Sequence, residues 1–166
     1  MIDTGQERLR SALRKLSGIE FRVQLSLSED YGAINEFIAA IERPTSFNIR
    51  AADAFLQRFE QLFEVTLRRL FPAVIRIVDI GDRADGLLNT LIRLEKLGYI
   101  TDAAAWVRRK ELRDRLVHEY PDDLAERALD LTAALIEAAE MLAELAGVRM
   151  KLARFAEAGA TGDDRI

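Results

Sequence analysis

Seven apolar residues between positions 56 and 77 fall at steps of three and four: Leu56, Phe59, Phe63, Leu67, Leu70, Val74 and Ile77. Such steps keep returning to one side of an α-helix, so the segment predicts a helix with one long apolar face. A face of that length must bury against other elements, which commits the chain to helix-on-helix packing. Its aromatic members read as core, not as a cofactor box, because an apolar helical stripe ordinarily faces a core. Pro72 should kink this helix after Phe71. A second stripe, made of Leu124, Ala128, Leu131, Leu135, Ala138, Leu142 and Leu145, predicts a final long helix. That helix is expected to run toward Phe155, with a bend at Gly147.

The remaining segments fit around these two. Residues 7–16 read as a short amphipathic helix with Leu9, Leu13 and Leu16 on one side, stopped by Ser17 and Gly18. Ile19, Phe21, Val23, Leu25 and Leu27 then alternate with polar residues, the only strand-like pattern in the chain. Residues 19–27 are thus read as an extended arm. Three readings stay open: pairing across a dimer, packing on the bundle, or continuation of the helix. Ser28, Glu29 and Asp30 form a helix start for Tyr31, Ile34, Phe37, Ile38 and Ile41. Residues 43–46 make a turn, and Asn48 is the expected cap of the long helix. Gly81 and Gly86 bracket a loose turn before Leu87, Leu88, Leu91, Leu94 and Leu97, a helix closed by Gly98. Thr101 or Asp102 caps the next helix, and Asp122 and Asp123 place negative charge at the start of the last. The expected architecture is an all-α bundle of about five helices in one domain, residues 1–158, with a flexible tail at 159–166.

Composition narrows the chemistry. The 166 residues include no cysteine and one histidine, which leaves no disulfide framework, no thiolate nucleophile and no basis for a Cys- or His-rich metal site. No cofactor or metal is expected. No apolar run approaches the roughly 20 residues of a membrane helix, and the first residues lack a signal-peptide pattern, so a cytoplasmic protein is expected. The formal net charge of -4 argues against a general nucleic-acid coat protein but leaves room for a local basic site.

Such a site is suggested at residues 106–121, WVRRKELRDRLVHEYP, which hold the only tryptophan, the only histidine and the densest basic run. Leu112 and Leu116 form its apolar side, with Ala105 one turn back, and Arg109, Lys110 and Arg113 are read onto or beside the opposite flank. Asp114 and His118 lie four apart and share a face, so the carboxylate could orient the ring. Arg113 and His118 are five apart, roughly 140° of helix rotation. They converge only if the helix frays before Pro121. A guanidinium for phosphate oxygens and an imidazole for protons form a phosphodiester site in outline.

The stretch LRDRLVHEYP resembles the signature of the HEPN superfamily, whose ribonuclease members carry Arg-x4-6-His near a helix end. Tyr120, two places after His118, narrows the resemblance to the HepT type, Arg-x4-His-x-Tyr. The position after the arginine is often Asn in that superfamily; here it is Asp114. The upstream stretch QRFEQLFEVTLRRL is similar to the long helix of HepT proteins and of the related nucleotidyltransferase-binding HEPN proteins, and the likeness extends from about residue 50 to residue 155. It implies a HEPN-like bundle forming a homodimer with the motif helices at the interface. It also implies metal-independent RNA cleavage, with His118 as acid/base and Arg113 on the phosphate. Asp114 would orient His118, and Arg109 and Arg115 would contact the RNA backbone. In HepT-type proteins a partner minimal nucleotidyltransferase of the MntA type transfers AMP to the tyrosine, here Tyr120, and so neutralises the toxin. The alternative the resemblance allows is a non-catalytic accessory subunit that binds substrate for a nucleotidyltransferase.

Overall fold

The computed structural model describes residues 5–79, 86–118 and 123–161, with backbone alone from residue 155 on. The described residues are all-helical: α1 (Gly5–Ser28), α2 (Tyr31–Ala39), α3 (Ser46–Val65), a π turn (Thr66–Leu70), α4 (Phe71–Val78), α5 (Leu87–Lys96), α6 (Ala103–His118) and α7 (Leu124–Thr161). The π turn joins α3 to α4 without a break, so six helical rods build the bundle. Rod α3–α4 is its axis. α1 packs along α3 and α4, α2 on α3, α5 on α4 and α6, and α6 on α3 and α7. α7 closes the bundle against α1 and α2.

The first correction falls on residues 19–27. They are not extended: α1 runs through Ser17, Gly18 and the alternating segment to Ser28. Its buried residues are Ala12, Leu16, Ile19, Val23 and Ser26, at steps of four, three, four and three. Helical spacing was therefore present beneath the alternation, and the bundle selects it because α3 and α4 offer a long apolar face to cover. Phe21, which the strand reading put inside, is 64% exposed. Gly18 is tolerated because one helical glycine costs only about 1 kcal/mol. The buried Ser26 hydroxyl accepts a hydrogen bond from Arg58 Nη1 at 2.6 Å, and the same nitrogen reaches Asp30 at 3.1 Å, tying the end of α1 to α3. The opposite flank is tied by Arg149 of α7, whose Nη2 meets Glu20 at 2.5 Å.

Thr45, not Asn48, caps α3: its hydroxyl accepts the Asn48 N–H at 3.2 Å. Asn48 is buried and donates its side-chain amide to Glu36 at 3.3 Å. Pro72 lies near the start of α4, directly after the π turn. It has no N–H for the Arg68 carbonyl, and its ring would crowd that oxygen in a regular helix. The wider turn before it, in which the Phe71 N–H bonds to Thr66 O, gives the chain room to pass the proline without ending.

Gly98 ends α5 as expected, with φ 75°. Its N–H bonds to Glu95 O at 2.9 Å, and the Tyr99 N–H reaches back to Leu94 O at 2.8 Å, the paired bonds of a Schellman cap. A Cβ added there would meet nothing within 4 Å, so a substitution costs backbone strain alone. Gly98→Ala is expected to destabilise by about 1–2 kcal/mol. Thermal unfolding should register this as a fall of several degrees.

The core is aromatic where α3, α4 and α6 meet. Trp106 is fully buried, edge-on to Phe71 with ring centroids 4.8 Å apart, and 6.5 Å from Phe63. α7 runs unbroken past Gly147 to Thr161, burying Leu131, Ala134, Leu135, Ala138, Met141, Leu145, Val148 and Leu152. The expected tail begins within this helix, and residues 162–166 lie outside the described residues. No helix among the described residues is long and apolar enough to cross a membrane.

Candidate functional site

Asp102 starts α6. The hydrogen bond from the Ala105 backbone, with those of Arg108 and the Ala104 backbone, holds its carboxyl below the ordinary value of 3.8 against opposing desolvation. The helix then buries Ala103, Trp106, Arg109, Leu112 and Leu116. Arg109 stands three residues from both Trp106 and Leu112, so it lies on the inward stripe and not on the opposite flank.

That position corrects its expected role. Arg109 is 4% exposed. Its Nε donates to Glu137 at 2.7 Å, Nη1 to Glu144 at 2.8 Å and Nη2 to Glu140 at 3.5 Å. Its guanidinium carbon sits 4.7 Å above the Trp106 ring. Trp106 Nε1 donates to Glu144 at 3.1 Å, and Glu144 also accepts from the Thr101 backbone N–H at 2.9 Å. Burial opposes the charge of Arg109, but the hydrogen bonds and charges of Glu137 and Glu144 more than compensate and raise its pKa. Every polar direction of this side chain is spent on α7. It is a structural bolt between α6 and α7, unavailable to an RNA backbone.

Arg115 pairs with α7. Its Nη2 reaches Asp130 Oδ1 at 2.9 Å, and its Nε lies 3.2 Å from Oδ2. Its side chain is 44% exposed, so this is a solvated pair that leaves the expected RNA contact neither made nor blocked.

Arg113 faces α3. Its Nη2 lies 2.7 Å from Glu64 and 3.1 Å from Glu60, and its Nη1 lies 2.9 Å from Asp114. Desolvation works against its charge, while the bond to Asp114 and the charges of Glu64 and Glu60 raise its pKa. Its side chain is 13% exposed, and its buried Nε has no hydrogen-bond partner among the described residues. Arg113 lines a groove of about 680 Å³ together with Arg68, Arg76 and Lys110.

Asp114 does not orient His118. Its oxygens take Lys110 at 2.5 Å and Arg113 at 2.9 Å. The Lys110 hydrogen bond comes first among the causes that lower its pKa, with desolvation opposing and Arg113 adding to the fall. A carboxyl lowered in the folded state contributes stability above its unfolded pKa, and that stability is lost as pH falls through the folded value. Asp114→Asn is therefore expected to flatten the acid-side fall in stability below about pH 4, read from urea midpoints across pH.

α6 remains α-helical through His118, its last residue, whose ring is exposed. Among the described residues the helix does not fray as far as His118, so the angular offset stands. His118 is not among the residues lining the Arg113 groove. One copy of the chain thus carries the two motif residues on different aspects of the helix. Tyr120, the expected modification site, and Pro121 lie outside the described residues. No group of three or more metal-ligating side chains occurs among the described residues.

The residues missed in the sequence are the acidic partners. Glu137, Glu140 and Glu144 follow helical spacing along α7, and Glu60 and Glu64 are four apart on α3. Each set is an acidic row at helical spacing, and each faces an arginine of α6. No family model, curated protein or solved structure matches this chain.

Proposed function

We propose that this chain is the ribonuclease subunit of a toxin–antitoxin pair, cleaving RNA without a metal in a cleft between two HEPN-like copies. A partner minimal nucleotidyltransferase silences it by transferring AMP to Tyr120. The observation that carries this reading is Arg113, first residue of the Arg-x4-His-x-Tyr series, on the wall of a cationic groove with a buried Nε donor still unspent. A buried donor without a partner is costly, and a phosphate oxygen would satisfy it. Glu64, which also pairs with Arg68 at 2.5 Å, keeps a cation when phosphate takes its place on Arg113.

The chemistry follows from one histidine per chain. The RNA 2′-hydroxyl loses its proton to one imidazole as its oxygen bonds to phosphorus. The bond from phosphorus to the 5′-oxygen breaks, and the second imidazole protonates that oxygen. Two imidazoles require two chains, which agrees with the separation of Arg113 and His118 within one. A second copy also finds an apolar landing place: Leu129 and Ile136, one heptad apart on α7, are 70% and 57% exposed.

A second reading is favoured by the three carboxylates held against Arg113. They repel phosphate, and a non-catalytic accessory subunit of a nucleotidyltransferase would have no need to displace them. Expression of wild type, His118→Ala and Arg113→Ala in a bacterial host separates the two. Growth arrest with fragmented RNA in the wild type alone supports the ribonuclease. Equal growth and intact RNA in all three, with folded protein recovered, sinks it in favour of the accessory subunit.

A further inference from the structure

The chain is acidic overall, yet one of its grooves is strongly cationic. α1, the π turn and α4 enclose about 1010 Å³ lined by Arg8, Arg10, Arg14, Arg68, Arg69 and Arg76, with Glu7 the only acidic residue on its walls among the described residues. All six arginines are exposed. Six positive charges against one, on a molecule of net charge -4, mean that the remaining surface carries a strong negative excess. This concentration is a property of the fold. Arg10 and Arg14 are one helical turn apart on α1, while Arg69 and Arg76 arrive from a rod more than fifty residues later.

The groove is not isolated. Arg68, Pro72 and Arg76 line both it and the smaller groove that ends at Arg113. These three residues are a wall common to both grooves, so a strand passing over it would run from the N-terminal half of α1, across the π turn, to the motif helix. Lysine is absent from the α1 end. Arginine presents a planar fork that binds phosphate oxygens in pairs, and a concave wall lets such forks close on a strand from both sides. A membrane surface would favour a convex basic face with apolar anchors, not a trench.

We propose that this α1–α4 groove is a phosphate-backbone track for single-stranded RNA, holding the part of the strand that extends beyond the nucleotides at Arg113. Arg10 and Arg14, about 6 Å apart along α1 by the helical rise, make the contacts from one wall, and Arg69 of the π turn and Arg76 of α4 make them from the other. Recognition is through the backbone, so base sequence has little influence. The inference rests on the ribonuclease reading for the identity of the strand, but the groove can be tested without any cleavage.

The probe is a fluorescein-labelled, 2′-O-methylated uridine 20-mer, which lacks the nucleophile and cannot be cut. Its binding is followed by anisotropy across a salt series with wild type and with Arg10→Gln/Arg14→Gln, both exposed helix positions where glutamine preserves the fold. Each single-strand phosphate contact contributes about 0.7 to the slope of log affinity against log salt. Loss of two contacts should flatten the slope by about 1.4 and weaken binding roughly 25-fold at 0.1 M salt. Equal binding of the 20-mer by both proteins overturns the track, as does absence of binding by wild type. Preference for phosphatidylserine vesicles over the 20-mer also overturns it, in favour of a membrane surface. Cleavage of unmodified RNA by wild type is scored separately. Cleavage with unchanged 20-mer binding in the double variant rejects the track and leaves the ribonuclease standing; the opposite pattern rejects the ribonuclease alone.

Discussion

Arg109→Ala is expected to lower the unfolding free energy by about 3–5 kcal/mol, the range for removing one partner from a buried ion pair. Glu144 decides the size of the effect. Its side chain is 11% exposed, and one of its oxygens accepts from both Arg109 and Trp106. Without the guanidinium, that carboxylate stays desolvated with an indole N–H, a backbone amide and the Thr101 hydroxyl as donors and no cation to balance its charge. The Trp106 ring also loses the cation above it. Arg109→Met fills the stem volume but leaves the same carboxylates uncompensated, so it should lose nearly as much. Arg109→Met with Glu144→Gln should recover part of the loss, because glutamine carries no charge and its one carbonyl oxygen still accepts from either Trp106 or the Thr101 N–H, though not from both. Urea unfolding of the three variants reads this out. A loss below about 1 kcal/mol in Arg109→Ala would mean that the cluster behaves as a solvated surface network.

This cluster marks where the sequence stops being legible. Apolar stripes on α3–α4 and α7 announce the bundle because their information is local: each residue's neighbour lies three or four positions away. The Schellman turn at Gly98 and the Asp102 cap are legible for the same reason. Arg109 was misread because its partners, Glu137, Glu140 and Glu144, stand 28 to 35 residues away on another helix. A basic run looks solvated until the acidic row that faces it is known. Trp106, Arg109 and Leu112 at steps of three were the available clue, since an arginine in register with a tryptophan and a leucine must face inward.

The α1 segment fails for a different reason. Ile19 and Val23 belong to both the alternating pattern and the helical one, and the two differ only at residues such as Phe21 and Ser26. The alternating pattern has more apolar members, but a lone strand has no partner to satisfy its backbone, whereas α1 satisfies its own. The cationic groove escaped notice because arginines from α1 and from the π turn and α4 are dispersed along the chain and meet only when α1 lies down on that rod.

The second large effect is kinetic. On the proposed mechanism, His118→Ala should slow RNA cleavage about 10²–10⁴-fold, the usual contribution of a positioned general acid or base. Because α6 stays helical to its end, the exposed imidazole can be removed with little cost to the core, so folding and dimerisation should be unchanged. The dimer gives a sharper test than the single variant. When wild-type and His118→Ala chains are mixed, unfolded and refolded together, mixed dimers carry one imidazole. If both imidazoles serve one cleavage event, activity falls as the square of the wild-type fraction, because only wild-type pairs hold an acid and a base. A linear fall would mean that one imidazole suffices for each cleavage event, which would overturn the two-imidazole scheme. Arg113→Gln should lose activity as well, but with a change in stability set by Glu60, which loses its cation, and by Glu64, which keeps Arg68 alone. The ratio of cleavage loss to stability change therefore separates the two motif residues: large with no stability change for His118, and coupled to stability for Arg113.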